Sequence, residues 1–258
     1  MINLKTDHEI ELMARAGAAL EAVVEELKSA CRPGVRTIEL DRLAERRIRA
    51  AGARPGFLGY HGFPNSICVS INDEAVHGIP GKRRIVDGDI VSLDLGLVLE
   101  GFWADMGCTV VVGKASPEAR RLVRVTEECL EIAIRHAQPG GRLGDISAAV
   151  QRHAEEAGFS VIRQFVGHGI GRQMHEEPQL PNFGVPGTGP ELRPGMTLAI
   201  EPMVNQGSPD VYIKPDGWTV CTSDGSLSAY AEHTVAITRE GPRVLTSSDG
   251  MMKGRVAV

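Results

Sequence analysis

Cysteine is sparse and scattered in this chain: Cys31, Cys68, Cys108, Cys129 and Cys221 are odd in number and never fall in a CxxC spacing. That distribution excludes a structural zinc site built on paired thiolates. It also argues against a disulfide framework and for a reducing, cytoplasmic compartment. Excess positive charge is lacking as well. A net charge of −5 gives no footing for nucleic acid or for an anionic membrane surface. No apolar run approaches the roughly 20 residues of a spanning helix, and Met1 to Asp7 lack the charged-then-apolar order of a secretion signal. With 258 residues, 42% hydrophobic and 24% charged, the chain has an ordinary globular composition and can bury a sizeable core.

What is present is a set of acids in places where acids are normally avoided. Asp94 ends the run Asp89-Ile90-Val91-Ser92-Leu93, and Glu201 ends Met196-Thr197-Leu198-Ala199-Ile200. Asp105, His168 and Glu232 sit in similarly apolar or glycine-rich surroundings. Burying four carboxylates close together is prohibitive unless cations compensate them. Two divalent ions would do so and would activate a water besides. The expectation is a two-metal hydrolase.

The acids belong to a repeat. Thr6 and Glu9 form a capping box that opens a helix with an apolar face at Ile10, Met13, Gly17, Leu20, Val24 and Leu27. Ser116-Pro117 opens a second helix with an expected face at Leu122, Val125, Cys129, Ile132 and His136, stopped by Gln138-Pro139-Gly140-Gly141. Pro33-Gly34-Val35-Arg36 leads into a helix ending at Gly52, and Pro139-Gly140-Gly141-Arg142 into one ending at Gly158, 106 positions on. Asp87-Gly88 followed by Asp94 is echoed 107 positions later by Pro194-Gly195 followed by Glu201. Two matches at nearly one offset imply two equivalent halves, about 1–114 and 115–258. Each half reads as two helices followed by antiparallel strands. Together they would form one continuous sheet and a single catalytic domain, 1–258, with a central cleft where Asp94 and Glu201 converge.

Within the first half, Val91 to Leu99 reads as one strand and Cys108 to Val112 as part of the next, so a hairpin would bring Asp94 and Asp105 to one edge. Asp105, before Met106-Gly107, also reads as a turn acid; Asp94, between Leu93 and Leu95, does not. Glu232 also reads as a surface acid at a strand end. The glycines of Val166-Gly167-His168-Gly169-Ile170-Gly171 permit a crowded site around His168. A phosphate loop would close with lysine and a hydroxyl, whereas Arg172-Gln173 follows here. Carboxylates with one imidazole suit Mn²⁺, Fe²⁺ or Co²⁺ at least as well as Zn²⁺.

These residues are the ones by which the chain resembles type I methionine aminopeptidases of the bacterial pattern, along nearly its whole length. The resemblance rests on Ser70 to Pro80 (SINDEAVHGIP), the Asp94/Asp105 hairpin, Gly167 to Gly171 with His175-Glu176-Glu177-Pro178, Leu192 to Pro202, and Ser226 to Thr234. It implies the pita-bread α/β fold: two pseudo-symmetric halves, one curved antiparallel sheet covered by helices, and a metal site in the cleft. It implies that Asp94 binds one ion, that His168 and Glu201 bind the other, and that Asp105 and Glu232 bridge both. The ions would be cobalt, manganese, iron(II), zinc or nickel. The reaction implied is removal of N-terminal methionine by a hydroxide bridging the two ions, with small uncharged second residues preferred. Glu201 would also shuttle a proton, His77 would contact the scissile amide, and His175 the carbonyl oxygen. Tyr60, Phe63, Cys68, Met174 and Trp218 would line the methionine pocket, an apolar, polarizable surface suited to a thioether. Partners implied are the N-termini of nascent polypeptides and, transiently, the ribosome, with the protein monomeric in the cytoplasm.

Three positions depart from the commonest family pattern. Met174 stands where an aromatic often precedes the His175-Glu176 pair, Phe57 where a small residue or thiol is usual, and Ala231 where an aromatic is common. Two rival readings remain to be separated. A prolidase or aminopeptidase P shares the metal set but normally carries a large domain before it, whereas the first helix here begins near Thr6. A non-catalytic binding relative tends to lose ligands and gain basic extensions, whereas all five positions are filled here and the balance is acidic.

Overall fold

The computed structural model describes residues 1–247; residues 248–258, the end of the second expected half, lie outside the described residues. The first half comprises α1 (Asp7–Ala30), α2 (Thr37–Ala50), β1 (Arg54–Pro55), β2 (Cys68–Ile71), β3 (Glu74–Val76), β4 (Ile90–Leu99) and β5 (Phe102–Val111). The second opens with α3 (Pro117–His136), α4 (Leu143–Glu156), β6 (Ser160–Val161), β7 (Gly167–Gly169), β8 (Glu176–Leu180) and β9 (Thr197–Ile200). It continues through β10 (Met203–Asn205), β11 (Val211–Ile213), β12 (Val220–Thr222), β13 (Ser228–Tyr230), β14 (Glu232–Thr238) and β15 (Gly241–Val244).

Local chemistry starts each helix. Thr6 Oγ1 accepts from Glu9 N at 3.3 Å while the Glu9 carboxylate accepts from Thr6 N at 2.9 Å, which satisfies two free donors of α1. Its stripe Ile10, Met13, Gly17, Leu20, Val24 and Leu27 is buried throughout. Burying a side chain such as Leu20 contributes roughly 1.5–3 kcal/mol, more than the helix loses at Gly17, about 1 kcal/mol. Ser116 caps α3 by accepting from Ala119 N, with Pro117 at the first helical position. The buried face of α3 departs from expectation at its end. Ile132 is half-buried and His136 exposed, while Leu130, Ala133 and Ile134 are buried. Four-residue steps from Val125 through Cys129 reach Ala133, so steps of three drift off the face.

Nine strands form the main sheet, in the order β1-β4-β5-β14-β9-β7-β8, with β2 also paired to β4 and β15 to β14. The pairings are antiparallel. This is the pita-bread arrangement expected from the sequence. One apolar core joins α1 and α2 to β2, β4 and β5, and another joins α3 and α4 to β9 and β14.

The repeat is visible in backbone bonds. Gly34 N donates to Ile85 O and Thr37 N to Arg83 O; at offsets of 106 and 107, Gly140 N donates to Leu192 O and Leu143 N to Pro190 O. Isolated bridges Arg36↔Arg84 and Arg142↔Glu191 follow the same rule. The pseudo-twofold therefore passes between β5 and β14, the junction of the halves. In the first half the inner strands β4 and β5 form a two-residue hairpin whose Glu100 and Gly101 both take positive φ, as a type I′ turn requires. In the second half the equivalent strands, β9 and β14, are separated in sequence by β10 to β13. Among the described residues no helix is long and apolar enough to cross a membrane.

Candidate active site

Pleating places the acids on one side of the sheet. Leu93, Leu95, Leu97, Ala104 and Met106 face the helices, so the alternate positions face away from them. Asp94 lies opposite Gly107 and Gly96 opposite Asp105 across the β4–β5 hairpin. Gly107 is in turn opposite Glu232 on β14. His233 is opposite Ile200, which sets Glu201 beside Glu232 in the same row. Asp105 is thus a mid-strand residue, 3% exposed, and not a turn acid: β5 runs from Phe102 to Val111. Likewise Glu232, 1% exposed, is no surface acid. The glycines opposite the acids make room for aromatic rings. A Cβ at Gly107 would lie 2.2 Å from the Tyr230 ring, and one at Gly96 would lie 2.8 Å from Phe57.

Two groups of ligand-type atoms result. One oxygen each of Asp94, Asp105 and Glu232 lies within 4.8 Å of the others. His168 Nε2 lies 3.5 Å from Glu201 Oε1. His168, opposite Ala199 on β9, has its Nδ1 2.9 Å from the Gly169 carbonyl oxygen. A carbonyl only accepts, so Nδ1 carries the proton and Nε2 keeps its lone pair for a cation. Across the junction of the halves, Thr234 Oγ1 donates to Asp105 O at 2.8 Å and accepts from Asp105 N at 3.0 Å. That clasp fixes the backbone of Asp105 against the other half.

Burial lifts Asp105 to about 7. It also lifts Asp94, Glu201 and Glu232 well above the usual carboxylate range, with charge on Asp105 the next cause for each. His77 and His168 are pushed down to about 4 by burial and then by His175; burial lowers His175 as well, with His61 second. Asp105 Oδ1 and Glu232 Oε1 are buried without a hydrogen-bond partner. An orphaned buried acceptor costs roughly 1–3 kcal/mol, and more when charged. Four oxygen donors and one lone-pair imidazole, with two orphaned oxygens among them, therefore fit hard divalent cations.

A pH dependence follows. The raised carboxylates bind protons more tightly folded than unfolded, so they destabilise the metal-free protein as pH rises. The lowered histidines act oppositely, but their effect is complete above their ordinary value of 6.5. Between pH 6.5 and about 8 the metal-free protein should lose stability, in the range where Asp105, at about 7, ionises. Saturating Mn²⁺ should remove that slope. Urea titrations with chelator and with Mn²⁺ measure both; a metal-free protein whose stability is level or rises over this range contradicts the electrostatics.

The ligand groups border a cavity of about 110 Å³ lined by Asp94, Asp105, His168 and Glu201 together with His77, His175 and Met174. A second cavity, about 160 Å³, adjoins it and shares His77, Asp94, Met174 and His175. Tyr60, Phe63, Cys68 and Trp218 line this second space, so all five residues expected around a methionine side chain border it. Cys68 pairs with Asp94 across β2 and β4 and hydrogen-bonds its carboxylate. Burial, then the charge of Asp94, keeps Cys68 a thiol, so it does not compete as a thiolate ligand. The Tyr60 hydroxyl is 2.7 Å from His175 Nδ1. His175 is steadied further by its neighbour Glu176, which pairs with the buried Lys5 at 2.5 Å. The His77 ring meets Phe165 edge-on at 5.5 Å, and its backbone takes φ 58.

Some lining residues lie outside the site set expected from the sequence. Phe57 and His61 line the apolar cavity and Phe165 the polar one. Tyr230 was missed although a signal existed: it stands two residues before Glu232, the spacing that puts both side chains on one face of an extended chain.

Comparison with known proteins agrees with this geometry. The model of metallopeptidase family M24 matches residues 11–239. Methionine aminopeptidase of Clostridium perfringens is 53% identical over 246 residues, covering 95% of this chain and 99% of that one. Methionine aminopeptidase 1 of Bacillus subtilis is 50% identical, with the same coverage. The crystal structure of methionine aminopeptidase from Thermotoga maritima superposes with a TM-score of 0.94 at 46% identity, over 96% of this chain and all of that one. Carboxylates and a histidine set in register by two halves of a curved sheet are what a metal-dependent peptidase requires, and the chain belongs to metallopeptidase family M24.

Proposed function

We propose that this chain removes the N-terminal methionine from polypeptides whose second residue is small and uncharged. The observation that carries the reading is the junction of the two cavities: an apolar pocket sized for one side chain opens directly onto the carboxylate and histidine cluster. In this reading the methionine side chain occupies the space between Tyr60, Phe63, Cys68, Met174 and Trp218, which Phe57, packed against Gly96, also lines. The first peptide bond then lies among the residues the two cavities share.

The ligand division we favour is Asp94 on one ion, His168 and Glu201 on a second, and Asp105 and Glu232 on both. It is supported by the two groups of ligand atoms and by the orphaned oxygens of Asp105 and Glu232. Bound divalent ions, whether cobalt, manganese, iron(II), zinc or nickel, supply the charge that lets these acids ionise and the Lewis acidity that activates water. Glu201, beside the cavity, takes the proton of the attacking water and passes it on. His77 and His175 are neutral at physiological pH; His77 accepts from the scissile amide N–H or meets the leaving nitrogen as the bond breaks, and His175 donates to the carbonyl oxygen as charge develops on it. The halves 1–114 and 115–258 act as one catalytic domain, because ligands come from both. Its working context in this reading is a monomer in the cytoplasm that meets nascent N-termini during transient contact with the ribosome.

The direct test is release of methionine from Met-Ala-Ser, with and without chelator, alongside Met-Leu-Ser and Xaa-Pro peptides. Metal-dependent cleavage of Met-Ala-Ser, falling at least tenfold for Met-Leu-Ser, is expected. Preferential cleavage of Xaa-Pro bonds would make the chain a prolidase, and no turnover in the metal-loaded protein would make it a binding relative.

A further inference from the structure

Tyr230 occupies a place in the site that the ligand scheme leaves without a task. It is 3% exposed and lines the polar cavity, and its hydroxyl lies 2.6 Å from Glu232 Oε2 and 3.4 Å from Glu201 Oε2. A phenol has one proton to give, and the shorter contact takes it; Glu201 is at the limit of reach. The backbone of Tyr230 is held by Thr109 and its ring packs on Gly107. Thr109 Oγ1 donates to Tyr230 O at 2.8 Å and accepts from Tyr230 N at 2.9 Å, and Ser92 Oγ holds Thr109 Oγ1 at 2.8 Å. Gly107 leaves the space the ring fills. With backbone and ring fixed in this way, the hydroxyl position is set before any ligand arrives.

The consequence falls on Glu232. Its Oε2 is occupied by the phenol, while its Oε1 is buried and has no hydrogen-bond partner. Building on the metal-pair reading above, we infer that Tyr230 is a positioning residue that holds Glu232 by Oε2 so that Oε1 is the oxygen presented to the cations. Glu232 is then an unequal ligand, one oxygen committed to the protein and the other to metal. Loss of an outer partner to a metal ligand typically weakens metal affinity 10–100-fold, which sets the size of effect to look for.

The experiment is titration of Co²⁺ into the metal-free full chain and into Tyr230→Phe, followed by calorimetry and by the visible d–d spectrum. Phenylalanine keeps the ring and the packing on Gly107 and removes only the hydroxyl. The variant should bind at least one Co²⁺ ten-fold or more weakly and show an altered d–d spectrum, with metal-free far-ultraviolet circular dichroism unchanged. Equal affinities and superimposable spectra in the two proteins overturn this inference alone. Failure of the unaltered protein to take up Co²⁺ overturns the metal reading and this inference with it. Should the variant not fold, the unaltered protein loaded with Fe³⁺ decides the matter. A phenolate-to-iron charge-transfer band would make Tyr230 a direct ligand and overturn the positioning role, whereas its absence with iron bound supports it.

Discussion

Replacing Asp105 with asparagine should abolish peptide hydrolysis and, at the same time, make the metal-free protein harder to unfold. The two effects have one origin. Asp105 has its backbone clasped across the junction of the halves by Thr234 and its Oδ1 buried without a partner. At pH 8 its carboxylate, lifted by burial to about 7, is largely ionised beside three other acids. Asparagine removes that charge, keeps the shape, and offers an amide donor to the neighbouring carboxylates. Relief on the order of a few kcal/mol is expected without metal. With Mn²⁺ the order reverses, because the unaltered protein gains about 4 kcal/mol at a thousand times its dissociation constant and the variant gains little. Metal-derived stabilisation of several kcal/mol in the transition state corresponds to about 10³-fold or more in turnover. Thermal melts with chelator and with Mn²⁺, beside a peptide assay, measure both sides. A variant that is less stable than its parent without metal would show that the acids do not repel one another as described.

Alanine at His77 or at His175 should cut turnover by about 10²–10⁴ while metal content stays at the unaltered level. Neither imidazole belongs to the ligand groups, yet both line the two cavities at their junction, where the scissile bond is placed. His175 needs the closer control, because its ring centroid is 4.3 Å from that of His168. Metal content by emission spectroscopy separates a lost hydrogen bond from a lost ion. Tyr60→Phe supplies a graded comparison: it removes the hydroxyl at His175 Nδ1 and should cost roughly tenfold, the worth of about one hydrogen bond. Unchanged kcat in either alanine variant would take that histidine out of the reaction.

Much of this site is legible in the chain because the physics behind it is local. Asp94 and Glu201 each end an apolar alternating run after a turn, and their offset of 107 reports equivalent strands. Both then lie in one row of the sheet. Asp105 reads two ways in the chain because Met106-Gly107 after it resembles a turn and Cys108 to Val112 shows only part of its strand. A two-residue turn at Glu100-Gly101 instead starts β5 at Phe102 and carries Asp105 into mid-strand. The pairing of β9 with β14 is not locally encoded, since β10 to β13 intervene and only the finished sheet brings Glu201 beside Glu232. Tyr230 was passed over because a tyrosine in an apolar stretch reads as core. It is core by burial, and only its hydroxyl, aimed at Glu232, gives it chemistry. Phe57 is unusual in type, but its place against Gly96 in the lining of the apolar cavity depends on the packing of β1 and β4.

Anomalous diffraction at the manganese edge, from crystals grown in excess Mn²⁺, tests the central claim most directly. Two peaks are expected on the site face of the sheet: one in contact with Asp94, one with His168 and Glu201, and both touching Asp105 and Glu232. No manganese among these side chains, or carboxylates turned apart with protons between them, would contradict it.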